Sequence, residues 1–152
     1  MRALADALQS ITVTLWVGGL WAIGFIVAPL LFSRLDDRVL AGALAGKFIT
    51  VIAWIGIACA VYLLAFRIAR FGAACLKQGI FWLVLGMLLL VLAGEFGVHS
   101  LMEGLRAQAL PKEVMASVFR DRFMTWHGVA SALHVVQSVL GLVLVVLHGK
   151  GR

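Results

Sequence analysis

Residues 78–99 read QGIFWLVLGMLLLVLAGEFGVH, and this stretch decides the fold. It carries a single acid, Glu95, near its end. A bilayer core about 30 Å thick is crossed by about 20 apolar residues in a helix, so the stretch reads as one membrane span. Three more apolar stretches lie at about 8–32, 40–66 and 123–148. The first holds LWVGGLWAIGFIVAPLLF, and Pro29 is expected to bend it. The second has Lys47 as its only charge, and the fourth has three histidines but no Asp, Glu, Lys or Arg. Lipid offers the backbone no hydrogen-bond partners, so each span must be helical. The sequence therefore predicts an all-α, four-transmembrane-helix antiparallel bundle, one integral-membrane domain over residues 1–152.

Composition agrees. Hydrophobic residues make up 63% and charged residues 13% of the 152 residues, against roughly 45–50% and about 25% in soluble domains. The mean hydropathy is +1.07. A soluble fold of this size lacks the interior to hide so much apolar surface. The pI is near 10.2, yet Lys and Arg fall between apolar blocks, where they act as topology signals. Nucleic acid is thus excluded as a partner, and the lipid bilayer is the expected one. Cys59 and Cys75 form no CxxC pair and support neither a disulfide scaffold nor a thiolate metal site.

Two connections are short and polar, at 33–39 and 67–77, and the third, 100–122, is long. Within it Pro111 can open a short amphipathic helix, with Val114, Met115, Val118 and Phe119 on one side. The first apolar run exceeds a signal-peptide core of roughly 7–15 residues and precedes no A-x-A pattern, so it is read as a mature helix. Four spans put Arg2, Arg67, Arg70, Lys77, Lys150 and Arg152 on one side, with Asp6 as its acid. The other side holds seven basic residues and six acids. That asymmetry places both termini in the cytoplasm. Gly42 and Gly46 form a G-x-x-x-G, and Gly18, Gly19 and Gly24 thin one side of the first span. Small residues let membrane helices approach closely, and packing within the bundle is favoured here over dimerisation. A homo-oligomer or a membrane-protein partner stays open.

Ionisable groups within a span are rare and usually face the bundle interior. Glu95, His99 and Glu103 stand at i, i+4 and i+8, with Met102 adjacent. On the fourth span His127, Ser131, His134 and Ser138 form a stripe within roughly 60° of arc. The end of the third span and the start of the fourth share one surface, so His99 and His127 are expected near one level. Glu95 is placed roughly 6 Å deeper, and Lys47 at a similar depth. His134 is placed near mid-membrane.

Three readings compete. In the first, Lys47 and Glu95 are a buried ion pair, and the histidines and serines bond across helices. In the second, His99 and His127, with Glu95, Glu103 or Met102, bind a transition-metal ion, copper or zinc. In the third, a histidine ligates haem b. Neighbouring helices some 8–10 Å apart suit a small ion shared by His99 and His127 better than a haem between them. A haem held by His134 alone stays open. Reactive constellations are missing from the sequence, which leans away from an enzyme. It has no Gly-rich phosphate loop, and HGVAS (His127 to Ser131) is a helical turn without an oxyanion hole. Trp16, Trp21, Trp54, Trp82 and Trp126 read as interface belts and packing.

LWVGGLWAIGFIVAPLLF (Leu15 to Phe32) and RFMTWHGVASALH (Arg122 to His134) resemble the bacterial relatives of transmembrane protein 205, a four-span domain of unknown function. More distantly the chain looks like the copper-resistance D membrane proteins and a haem-associated oxidase family. The resemblance implies a bacterial inner-membrane location and a link to metal tolerance. It carries His127, Gly128 and Ser131 over as an HGxxS element. The functional expectation is metal or haem association at the polar cluster near the outer surface. The alternative is a non-catalytic structural or assembly subunit.

Overall fold

The computed structural model describes residues 2–101, Gly104 and residues 118–150. The first membrane-crossing unit is α1 (Arg2–Trp21), a π-helical segment (Ala22–Val27) and α2 (Ala28–Arg34). The second is α3 (Arg38–Phe71), continued by a 3-10 segment (Gly72–Lys77). The third is α4 (Gly79–Leu92) with a second π segment (Ala93–His99), and the fourth is α5 (Val118–Lys150). Among the described residues, four stretches are long and apolar enough to span a membrane: Leu4–Arg34, Leu40–Lys77, Gly79–His99 and Thr125–Lys150. The protein is a multi-pass membrane protein whose outward faces contact lipid.

Local chemistry sets the breaks. Pro29 has no amide hydrogen and clashes with the preceding turn of a regular helix. The expected bend is taken up just before it, where the Ala28 N–H donates to Ile23 O, five residues back. Leu35 is extended, and Asp37 Oδ1 accepts from the Leu40 N–H at 3.2 Å, an aspartate cap on α3. Gly72, at φ +54°, lets the chain leave α3 through the left-handed region, where glycine is unstrained. The connection at 67–77 is therefore not an open polar loop, because α3 runs through Phe71 and the 3-10 segment covers the rest. Its Cys75 is buried.

The four units close into an antiparallel ring, α1 touching α3 and α5, and α4 touching the same two. Their core is Val13, Trp16, Val17 and Leu20 of α1, Cys59, Ala60 and Leu63 of α3, Val84, Met87 and Val91 of α4, and Leu144 of α5. Outside, Val136, Val143 and Leu147 are exposed, as their position opposite the polar stripe predicts. The sockets of this packing are glycines. A Cβ on Gly19 would strike Ile52, one on Gly56 would strike the Trp16 indole, and one on Gly24 would strike His134. Gly141 faces Val17 at 3.2 Å. Gly18, by contrast, faces open space, and a Cβ on Gly46 would meet only His99 Cε1 at 3.8 Å.

The amphipathic helix expected near Pro111 lies outside the described residues up to Ser117.

Candidate functional site

The polar side chains of α5 separate into an inner and an outer group. Ser138 is 1% exposed and Gln137 4%, while His134 is half-buried. Each meets the backbone of a neighbour or of its own helix. His134 Nε2 lies 3.2 Å from Leu20 O at the end of α1. A carbonyl only accepts, so Nε2 carries the proton in this contact. Gln137 Nε2 donates to Met87 O of α4 at 3.1 Å. Trp21 Nε1 donates in the other direction, to Ser138 O at 3.2 Å, and Ser138 Oγ donates to His134 O at 2.8 Å. These bonds tie α5 to both its neighbours near the middle of the bilayer. The Phe25 ring flanks His134, with centroids 6.1 Å apart.

The outer group behaves differently from the expectation that the whole stripe faces inward. His127 and Ser131 are exposed. Ser131 Oγ donates to His127 O of its own helix at 2.9 Å. A hydroxyl satisfied by the carbonyl four residues back can face outward at little cost. The stripe's angular order is right, but only its deeper half is covered by the described neighbours.

At the end of the bundle opposite the termini, His99 is half-buried in the second π segment. Its Nε2 lies 3.4 Å from Thr50 Oγ1 of α3, with Gly46 one turn away beneath the ring. The Lys47–Glu95 pair is not formed. Among the described residues the salt bridge joins Arg70 to Asp6, at 3.7 Å and at the other end of the bundle. Lys47 is exposed and Glu95 half-buried. Depth is the reason. Between Lys47 and Arg67 lie 19 uncharged residues, Phe48–Phe66, about 28 Å of helix. Between Lys77 and Glu95 lie 17, Gln78–Gly94, about 26 Å. Both charges therefore stand at the edge of the hydrocarbon, where a long side chain can reach headgroups and water.

Glu103 and Met102 lie outside the described residues. Among the described ones no group of three His, Cys, Asp or Glu side chains comes together. They assemble no ligand set for a metal ion, and His134 directs a protonated Nε2 at a carbonyl instead of at a cavity.

Two features escaped the sequence reading. Gln137 is the polar residue binding α4, and its Oε1 is buried without a partner. Trp16 is fully buried, and its Nε1 is likewise unpartnered. The available signal was a glutamine three residues after His134 in an uncharged span. A second tie at the termini end, Ser10 Oγ to His148 Nε2 at 3.3 Å, also joins α1 to α5.

Comparison with known proteins adds one finding. No curated protein and no solved structure matches the chain. A family model matches residues 11–111, which include the LWVGGLWAIGFIVAPLLF stretch but not HGVAS. Matched over that range, this chain of four apolar helices among its described residues belongs to the family described as Domain of unknown function (DUF4149).

Proposed function

We propose that this chain is a non-catalytic structural or assembly subunit of a bacterial inner membrane, with both termini in the cytoplasm and a membrane protein or a second copy as its partner. One observation carries the reading: the mid-membrane polar groups of the bundle bond backbone carbonyls of neighbouring helices. His134 meets Leu20 O, Gln137 meets Met87 O, and Trp21 meets Ser138 O. Groups used in this way hold helices together where no hydrophobic effect drives their association.

The rival reading is copper, zinc or haem b association, with a role in metal tolerance. It rests on His99, His127, Glu95 and Glu103, with His134 as the haem ligand. Kinship with the bacterial relatives of transmembrane protein 205 and with copper-resistance D proteins would fit it. One structural feature favours it: Glu95 and His99 share a π segment, a form often found at functional sites. An absorbance spectrum and metal analysis of the purified chain separate the two readings. The expected result is no Soret band and no stoichiometric copper or zinc. A Soret band, or one equivalent of either metal lost on His99→Ala or His127→Ala, would overturn the structural reading.

A further inference from the structure

At the end of the bundle that carries the termini, basic side chains collect around the connection from α3 to α4. Arg67 is half-buried, and its Nη1 donates to Gln78 Oε1 at 2.5 Å, bridging the two helices. Arg70 packs over the rings of Phe66 and Phe71, 5.9 Å from each centroid, and meets Asp6. Lys77 is exposed at the end of the 3-10 segment. Asp6 is the one acid on this side of the sequence, and Arg70 already meets it.

The apolar surroundings fix the level of this patch. Phe71, Leu76 and Trp82 are all exposed, Trp82 by 57%. The Trp82 indole N–H donates to Leu76 O at 2.9 Å. An exposed indole with its N–H on backbone at a helix end belongs at the headgroup level. The uncharged run Phe48–Phe66 is about 28 Å long. It therefore places Arg67 where the hydrocarbon ends and Arg70 about one turn beyond it, while the uncharged run Gln78–Gly94 brings Lys77 back to the same edge. Cations and exposed apolar and aromatic side chains meet at this one level, the profile of a surface that takes a lipid phosphate and the top of its tails.

We propose that Arg67, Arg70 and Lys77, at the α3–α4 connection, bind the phosphate headgroup of an anionic phospholipid in the leaflet on the side of the termini. The guanidinium fork of Arg67, oriented by Gln78, suits phosphate oxygens. Lys77 adds an exposed point charge, and Trp82, inside α4, flanks the upper acyl chain.

The test is native mass spectrometry of the full chain in detergent. It is offered equal amounts of phosphatidylglycerol and phosphatidylcholine with identical tails. The expected result is several-fold greater retention of phosphatidylglycerol. That preference should fall at least threefold in Lys77→Gln and vanish in the Arg67→Gln/Lys77→Gln double variant. Lys47→Gln, at the opposite end, should leave it unchanged. Equal retention of the two lipids by the wild-type chain would overturn the proposal, as would a preference untouched by Lys77→Gln. Displacement of the lipid by millimolar inorganic phosphate would overturn it too, by pointing to free phosphate as the occupant. Lys77 is exposed, so its variant keeps the test meaningful even if Arg67→Gln fails to fold.

Discussion

Trp16 shows how single residues set the terms of this bundle. Its indole is fully buried and lies in the socket left by Gly56, with its N–H unpartnered. Removing the whole ring would leave a large void between α1 and α3. Trp16→Ala is expected to cost about 3–5 kcal/mol, measured by reversible unfolding in mixed micelles. Trp16→Phe removes the orphan donor as well as ring volume. A buried unsatisfied donor costs about 1–3 kcal/mol, so the two effects should offset to within about 1 kcal/mol. A Phe variant as unstable as the Ala variant would show that the N–H has a partner. At this scale the sequence was only partly legible. His134 and Ser138 announced themselves by polarity in an apolar span, and the structure covers both. Gln137 did not, because a search for ionisable groups passes over an amide. Gly19 and Gly24, singled out in the first span, prove to be sockets, but Gly56 was not picked out, since a chain with 16 glycines offers many small-residue spacings. Which of them meets a knob depends on the rotation of the opposing helix.

Helices and their ends obey a simpler rule. The length of apolar runs gave spans at about 8–32, 40–66, 78–99 and 123–148, and the long apolar helices are Leu4–Arg34, Leu40–Lys77, Gly79–His99 and Thr125–Lys150, with α3 and its 3-10 extension running past 66. A connection rich in Arg and Ala reads as a link by charge but is a good helix former by propensity. The same confusion of charge with depth produced the expected Lys47–Glu95 pair. Counting uncharged residues between the cations puts both groups at the hydrocarbon edge, so neither needs the other. Lys47→Gln and Glu95→Gln should therefore be additive, with a coupling energy under about 0.5 kcal/mol in a double-mutant cycle. A coupling of several kcal/mol would restore the buried pair. The outer half of the α5 stripe was misjudged because angle alone was read. A serine that bonds its own helix, as Ser131 does, carries no information about which way it faces.

For the whole molecule, the antiparallel ring puts Lys77 and Lys47 on opposite sides of the membrane. Cys59 and Cys75 are both buried, so they should resist a membrane-impermeant maleimide. Lys77→Cys and Lys47→Cys should then label from opposite faces of sealed vesicles, and labelling from one face would contradict the four-span topology. What locks the ring is the set of polar contacts that fasten α5 to α1 and α4. The contact of His134 with Gly24 and Leu20 O is the one in which shape and hydrogen bonding coincide. A methyl group at Gly24 would have to displace the imidazole, and overpacking of this kind typically costs about 1–3 kcal/mol. The most direct measurement is the unfolding free energy of Gly24→Ala, His134→Ala and the double variant. If His134 is a packing knob in a glycine socket, the double variant should be about as stable as His134→Ala alone, because the added methyl fills space the ring has left. Strictly additive losses would contradict the account.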